Sequence, residues 1–469
     1  MEKQNIKEKN MKKLISLLLC ITMCFSLVIC TNVSFAQAEP DFSKTARELC
    51  DEITVGWNLG NTLEAYKSWS DGSILNGVSV KAQETAWANP VTTKSMIDYV
   101  KKSGFNAVRI PVTWGTQTTE KNGVYTIKPE MISRVRDIVS YCLQNDMYAI
   151  VNMHHDDRMW LGLSGTEDQF EQVKEQYRQM WTQIAAAFED YDQRLILEGN
   201  NETLATCAYT GCSCDKPNKY CWWGHSDEAF LRLYELNQIF YDTVRNGNGY
   251  NAQRYIMIPT YGAQWYEHQL NKIYNVVLDD HTIIDVHWYG ASNTSLTDNT
   301  PEMNSWKKWL DAKFHEGVGL VLGETAPNGY KKLSSANRIS WVKNFVEPLK
   351  QNYGIPVFIW DDGGDFKHLE RDSLFWTDYN YIKALANATQ KPSSGGGEPE
   401  KPVVVPPRPG DLTLDGNING LDVLRYQKYL AKTRLDTVVT TDNADLNKDG
   451  EFTITDIYLL KKMILNLYS

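Results

Sequence analysis

The chain has 469 residues, 42% of them hydrophobic and 23% charged, with a formal net charge of −10. That length holds one large domain and a small one, and the composition excludes a largely disordered chain. The acidic balance is spread over both halves, which leaves no phosphate-tracking surface and argues against a nucleic-acid partner. The 15 Trp and 25 Tyr are flat rings that serve cores and also stack on flat ligands.

Taken in chain order, the first feature is an export signal. Lys12 and Lys13 precede an apolar run from Leu14 to Ile29, and Ala36-Gln37-Ala38 supplies a small-x-small cleavage site. The run is shorter than the ~20 residues needed to span a bilayer. Removal of residues 1–38 predicts an extracellular mature chain with no later segment able to cross a membrane, and it takes Cys20, Cys24 and Cys30 away. Cys50 and Cys142 lie in apolar helical contexts and are predicted to be buried thiols. Cys207, Cys212, Cys214 and Cys221 crowd together, which fits either disulfides, with three possible pairings, or a structural zinc site. Either one staples a loop.

From residue 39 to 390, short β-rich runs alternate with amphipathic helical patterns. Candidate strands are 53–57, 107–111, 148–152, 195–198, 255–259, 283–287, 319–322 and 357–360, with helices such as 92–103, 128–145, 169–191 and 226–246 between them. Eight strand–helix units in one domain predict a (β/α)₈ barrel, an α/β fold, rather than an open doubly wound sheet. No G-x-G-x-x-G turn follows the first strand, which counts against a dinucleotide site.

Polar residues gather at the C-terminal ends of these strands, where a barrel keeps its active site. The first strand leads to Asn61 and Glu64, the second holds Arg109, and the third ends His154-His155-Asp156. The fourth runs into Asn201-Glu202, the sixth into His287-Trp288-Tyr289, the seventh into Glu324, and the eighth into Trp360-Asp361. Two carboxylates after strands four and seven fit acid/base and nucleophilic work on a glycosidic bond, which requires their pKa values to be pushed apart. Arg109 is positioned to keep a neighbouring carboxylate charged, and His287 and Tyr289 to orient it. No metal or other cofactor is needed for that chemistry. A zinc hydrolase using His154, His155, Asp156 and His287 is the alternative, and it leaves the paired glutamates and the tryptophans without a role.

The stretches VGWNLGNTLEA (55–65), ETAWANP (84–90), GFNAVRIPVTW (104–114), VNMHHD (151–156), LEGNNE (197–202), DVHWY (285–289), LGE (322–324) and FIWDDG (358–363) resemble glycoside hydrolase family 5, and most of all its bacterial endoglucanases. The resemblance implies that Glu202 is the acid/base and Glu324 the nucleophile of a retaining hydrolysis of β-1,4-glucan. By the same resemblance Asn201 binds the sugar 2-hydroxyl and Arg109 and Tyr289 hold the nucleophile. His154, His155 and His287 would line the cleaved sugar's subsite over a Trp360 floor, and Asn61 and Glu64 would reach sugars on the non-reducing side. Xyloglucan, mixed-linkage glucan, mannan and xylan remain alternative substrates, and a non-catalytic sugar-binding subunit remains an alternative role. After Asn-Glu the family usually has Pro, whereas Thr203 and Leu204 stand here. The cysteine-bearing segment and Trp222-Trp223 follow directly, so these tryptophans either belong to a stapled surface insertion or extend the cleft.

Residues 391–409 carry a Ser393-Ser394-Gly395-Gly396-Gly397 run and a high proline content, which reads as a linker. Residues 410–469 contain a duplicated pattern. Asp411, Thr413, Asp415, Asn417 and Asp422 recur 34 positions later as Asp445, Asn447, Asp449, Glu451 and Asp456. Oxygen-bearing side chains at positions 1, 3 and 5, glycine at 6 and a carboxylate at 12 match an EF-hand calcium loop. Each loop leads into one helix, with none before it, which excludes a full EF-hand sensor. This duplicated loop–helix resembles a dockerin. The resemblance implies a small all-α module with two Ca²⁺ ions and a cohesin partner on a scaffolding protein, the first site weakened by Thr413.

Overall fold

The computed structural model describes residues 40–212, 219–222, 226–274, 279–389 and 409–412, and then 418, 422–423, 426–427, 430, 444–448, 451 and 453–467. The predicted export signal, nearly all of the linker, Cys214, Trp223, Thr413, Asp415, Asn417 and Asp449 lie outside the described residues.

Eight parallel strands close into a barrel in chain order: β1 Val55–Leu59, β2 Ala107–Ile110, β3 Tyr148–Asn152, β4 Leu195–Glu198, β5 Ile256–Pro259, β6 Thr282–Trp288, β7 Gly319–Thr325 and β8 Val357–Asp361. Crossover helices include Lys94–Lys102, Pro129–Leu143, Glu167–Ala187 and Asp227–Arg245, all within the predicted ranges or within two residues of them. Cys50 and Cys142 are buried as expected.

Side chains alternate across each strand, and the two faces form two separate cores. Outward residues such as Trp57, Val108, Val151, Leu197, Ile258, Leu322 and Ile359 pack against the helices. Inward residues Ala107, Ile150, Ile196, Met257, Ile283, Val321 and Phe358 fill the lower barrel. Gly56 is part of that packing, because a Cβ there would sit 2.0 Å from the Phe358 ring.

The barrel floor is closed by a helix that the strand-centred reading overlooks, Ala46–Glu52. Thr45 and Glu48 form a capping box at its start. Its far end is tied by Lys350 Nζ, which donates to the carbonyls of Cys50, Asp51 and Ile53 at 2.6–3.0 Å. Ile53 ends this helix rather than starting the first strand, and its side chain joins the floor cluster. The expected strand 53–57 therefore begins two residues later.

Two residues up from the floor on five of the strands, the inward positions become polar, Asn58, Arg109, Asn152, Glu198 and Asp285, all fully buried, and on β8 the position is Trp360. The strand pairing also slips here. Val286 pairs with Leu322 but His287 pairs with Glu324, so Gly323 is an extra residue in β7. Bulges re-aim side chains beside active sites, and this one turns Glu324 over the barrel mouth. Only glycine fits, since a Cβ at residue 323 would lie 2.2 Å from Asp285 Oδ1.

In the C-terminal segment, Leu412, Val423, Tyr426, Ala444, Ile457 and Leu460 form a small core of their own. The Tyr426 hydroxyl donates to the Ala444 carbonyl at 2.9 Å. The last helix runs Ile454–Leu467, so it begins inside the second loop, two residues before Asp456. No helix among the described residues is long and apolar enough to cross a membrane.

Candidate active site

Arg109 organises the barrel mouth. Its five N–H donors have five acceptors. Nε and Nη2 grip Glu198 Oε2 and Oε1, each at 2.6 Å. Nη1 donates to Glu324 Oε1 at 2.7 Å and Asn58 Oδ1 at 3.1 Å, and Nη2 also reaches Asn201 Oδ1 at 2.9 Å. With Arg109 and Glu198 fully buried, this is a desolvated, doubly hydrogen-bonded ion pair. Burial pushes the Glu198 carboxyl up against the opposing pull of Arg109.

Glu324 receives a second donor on its other oxygen, the Tyr289 hydroxyl at 2.8 Å. Burial, then the adjacent Glu324 charge, holds that phenol well above its ordinary range, so it stays a donor. Glu202 stands opposite. One oxygen each of Glu202 and Glu324, with a ring nitrogen of His287, lie within 4.8 Å of one another.

His287 Nδ1 is 3.1 Å from Glu202 Oε1 and 3.6 Å from Glu324 Oε2. Its Nε2 lies 3.1 Å from Asp285 Oδ2, an ion-pair distance off the line of a good hydrogen bond. Burial disfavours the imidazolium, but the charges of Glu324 and Asp285 overcome it and hold His287 well above its usual value. Burial likewise pushes Glu202 up, yet the His287 hydrogen bond and the charges of His287 and Arg158 outweigh it and hold its carboxyl below the usual range. Arg158 Nη2 is 3.4 Å from Glu202 Oε2.

The tautomer of His154 follows from its neighbours. Asn152 Oδ1 accepts from the Val112 N–H, so its NH₂ donates both to Glu198 Oε1 and to His154 Nδ1, each at 3.0 Å. The proton therefore sits on His154 Nε2, 3.7 Å from Glu324 Oε1. Burial, with His155 and Arg109 nearby, keeps this ring neutral. Trp360 lies parallel to it, with centroids 5.8 Å apart and planes at 4°, and part of the indole remains open. Gly60 makes room for that ring, since a Cβ there would come within 2.9 Å of it.

The structure thus brings Arg109, His154, Asn201, Glu202, His287, Tyr289, Glu324 and Trp360 to one mouth. Asn201, its oxygen taken by Arg109, keeps its NH₂ as donor. Two predicted residues stand apart from the paired carboxylates. His155 lies edge-on to Tyr66 at 5.3 Å and tilted against Trp87 at 5.8 Å. With Asn61, Trp69 and Arg158 they line a cavity of about 440 Å³.

Glu64 departs from its expected part. It is fully buried, and its oxygens accept the amides of Asn61 and Thr62. The carboxylate is spent on holding Asn61 in a left-handed turn with φ 55°, so Asn61 faces the cavity and Glu64 does not. The zinc-hydrolase grouping does not form either. Asp156 is engaged by the amides of Trp114 and Gly115 and by the Trp160 indole at 2.7–2.9 Å. Among the described residues it shares no ligand cluster with the three histidines. Trp222 is half-buried rather than exposed and stacks near Arg158 at 5.8 Å.

Glu198, Asn58, Asn152, Asp285 and Arg158 are absent from the predicted set. The available signal was parity: each of the first four occupies an inward position two residues above an apolar or glycine floor residue, where a lone polar side chain needs a partner.

Comparison with known proteins now bears on this arrangement. A family profile described as cellulase, glycosyl hydrolase family 5, matches residues 71–365, and a type I dockerin profile matches residues 409–465. Endoglucanase A of Clostridium longisporum is 30% identical over 416 residues, covering 84% of this chain and 75% of that protein. The chain belongs to glycosyl hydrolase family 5. It is a glycoside hydrolase of the endoglucanase type and carries a type I dockerin at its C-terminus. β1, which precedes the matched segment, completes the family barrel.

The cellulase/esterase CelE of Acetivibrio thermocellus is 29% identical over 90% of this chain, which spans only 54% of that relative. Among solved structures, a broad-specificity endoglucanase from Ruminococcus champanellensis with bound cellotriose aligns at TM-score 0.62 and 32% identity, covering 74% of this chain and 99% of that one. A xyloglucan-specific endo-β-1,4-glucanase from a metagenomic library, in complex with cellotriose, aligns at 0.60 and 30% identity, over 72% and 98%.

Proposed function

We propose that this protein is a secreted endo-β-1,4-glucanase that cleaves with retention of configuration and docks on a cellulosome scaffold. The observation that carries the mechanism is the approach of Glu202 and Glu324 oxygens to within 4.8 Å. Retaining enzymes hold their carboxyl groups about 5–5.5 Å apart, whereas inverting enzymes leave about 6.5–9.5 Å for a water.

Glu324, held by Arg109 and Tyr289, attacks the anomeric carbon while Glu202 gives its proton to the leaving glycosidic oxygen. The bond to Glu324 forms as the bond to the leaving sugar breaks. Water then enters, Glu202 takes its proton, and the glycosyl–Glu324 ester is hydrolysed. His287 Nδ1 faces both carboxylates, 3.1 Å from Glu202 and 3.6 Å from Glu324, and its positive charge stabilises whichever of them is ionised. Asn201 donates to the sugar 2-hydroxyl, and Trp360 with neutral His154 forms the floor under the ring. Glu64 acts through Asn61 by fixing its turn.

The export signal in residues 1–38, the barrel of 39–390, the linker and the dockerin of 410–469 define the working order of the chain. Calcium fits the second dockerin loop. Its described donors Asp445, Asn447, Glu451 and Asp456 are all oxygen-bearing, the ligand chemistry a hard cation takes. The buried Asp456 carboxylate already closes the loop, accepting from the amides of Leu446 at 2.9 Å, Asn447 at 3.3 Å and Thr453 at 2.9 Å. In the first loop the described ends, Asp411 and Asp422, are both buried. One Ca²⁺ per loop, two in all, would supply the charge that lets the module fold and present its helices to a cohesin.

The test is proton NMR of the first products released from a soluble mixed-linkage β-glucan. The β-anomer appears first and mutarotates later if configuration is retained, and Glu324→Ala releases nothing. Early α-anomer would refute the mechanism, and parent protein inactive on β-glucan, xyloglucan, mannan and xylan would refute the activity. The names of its structural neighbours include both broad-specificity and xyloglucan-specific enzymes, so xyloglucan belongs in the same panel.

A further inference from the structure

The loop after β1 carries the most exposed large apolar side chain among the described residues, Trp69, with 77% of its surface open, and the reaction gives it no task. The loop is built rather than loose. Residues 66–75 form a short hairpin in which Lys67 bridges Ile74, the Ser68 amide donates to the Ser73 carbonyl at 2.7 Å, and the Leu75 amide donates to the Tyr66 carbonyl at 2.9 Å. Gly72 turns it in the left-handed region at φ 71°. Asp71 Oδ1 accepts from the Ser73 amide and hydroxyl at 3.0 and 2.7 Å. The Trp87 indole pins the hairpin to the body, donating to the Lys67 carbonyl at 2.8 Å. A fastened hairpin that holds a tryptophan out in water keeps apolar surface exposed, and such surface marks a binding site when it adjoins a cleft.

A row of rings connects Trp69 to the floor under the reacting sugar. Trp360 lies parallel to His154, and His154 meets His155 edge-on at 4.5 Å. His155 lies 5.8 Å from Trp87, and Trp87 meets Trp69 edge-on at 6.5 Å. The cavity of about 440 Å³ lies along the outer part of this row, with Asn61, Tyr66 and Ser68 also on its wall. Half-exposed ring faces bordered by an amide and a hydroxyl suit a β-linked glucose unit. Its hydroxyls are equatorial, so it offers a flat apolar face to a ring and a polar edge to hydrogen-bonding groups.

We propose that the hairpin of residues 66–75 selects for chain length: Trp69, backed by Trp87, stacks on a glucose unit of a long β-glucan that lies well outside the reacting subsite. Short oligosaccharides do not reach it and bind through the mouth alone. The inference rests on the glucanase reading of that mouth. The family match begins at residue 71, so it assigns nothing to Tyr66 or Trp69. Rigidity is what makes the contact useful, because a ring already held in place by the Trp87 anchor and the Lys67–Ile74 bridge loses little freedom when the sugar arrives.

Isothermal titration of the full-length chain carrying Glu324→Ala, which lacks the nucleophile, tests this with cellotriose and cellohexaose. Cellohexaose should bind at least about tenfold more tightly than cellotriose, and adding Trp69→Ala should cut the ratio of the two affinities about tenfold. Trp69→Phe keeps a ring on the hairpin and should restore most of the ratio. Because Trp69 is exposed, its truncation leaves no cavity, and the cellotriose titration of the same protein reports on the mouth. A ratio left unchanged by Trp69→Ala, whether both sugars keep their affinity or lose it together, overturns the inference, and so does binding of neither sugar by Glu324→Ala. Hydrolysis of soluble β-glucan by the parent separates this from the reading it rests on. Activity there with an unchanged ratio refutes the hairpin's role alone, whereas inactivity on every glycan refutes the glucanase.

Discussion

Arg109 is the group on which the barrel mouth depends, and Arg109→Met measures how much. Methionine keeps much of the buried volume but leaves Glu198 and Glu324 facing each other's surroundings without the cation, and it orphans the oxygens of Asn58 and Asn201. Breaking a buried pair by removing one partner costs about 3–5 kcal/mol. A barrel of about 350 residues unfolds with roughly 0.7 kcal/mol per degree of entropy, so the melting temperature should fall by about 4–7 °C. Glu198→Met alone strands the arginine and should cost a similar amount. The double variant removes the bidentate pair as a unit, so its loss should be smaller than the sum of the singles by about 2–3 kcal/mol. Calorimetry on the four proteins gives the cycle, and β-glucan hydrolysis measured alongside should be lost wherever Arg109 is absent, because Glu324 then loses its short hydrogen bond from the arginine and keeps the one from Tyr289. Additive melting losses, or Arg109→Met melting within a degree of the parent, would refute the reasoning.

Three further outcomes follow from the same geometry. Glu202 must carry a proton to act as acid, and His287 and Arg158 hold its carboxyl down. Arg158→Met should therefore raise that pKa and move the alkaline limb of the kcat/KM profile to higher pH; a move to lower pH would contradict the assignment. Trp360→Ala removes the stacking floor and should lower kcat/KM on soluble glucan by about tenfold, at a cost of about 1.4 kcal/mol, with stability little changed. Asp456→Ala, or chelation of calcium, should abolish cohesin binding in a pull-down while soluble-glucan hydrolysis stays at the parent rate. Calcium but not magnesium should reverse the chelation.

Much of this is legible in the sequence alone, and for a reason. Barrel strands are short apolar runs between amphipathic helices, and a barrel puts its chemistry at the strand ends. Reading those ends therefore finds Glu202, His287 and Glu324 without knowing how the strands pair. What could not be read were consequences of closure. Glu64 sits among strand-end polar residues in the sequence exactly as Asn61 does, and only the fold of its turn shows that its oxygens are consumed by two amides. Ile53 reads as strand because it is β-branched and apolar, yet it closes the floor because the preceding helix needs a cap there.

Glu198 shows the limit most clearly. In LEGNNE it is separated from Glu202 by three residues, and local pattern gives either glutamate an equal claim to the chemistry. In the barrel the two differ by parity and by height. Glu198 ends β4 pointing inward, level with Asn152 and in reach of the Arg109 fork, so its charge is neutralised by a bidentate partner. Glu202 lies one loop further out, where it meets His287 and Arg158 and retains access to a ligand. Arg109 then spends its remaining donors on Glu324, which the Gly323 bulge has turned toward it. On the proposed mechanism a single arginine thus separates a structural carboxylate from a reactive one, and the distinction exists only once β2, β4 and β7 share one interior.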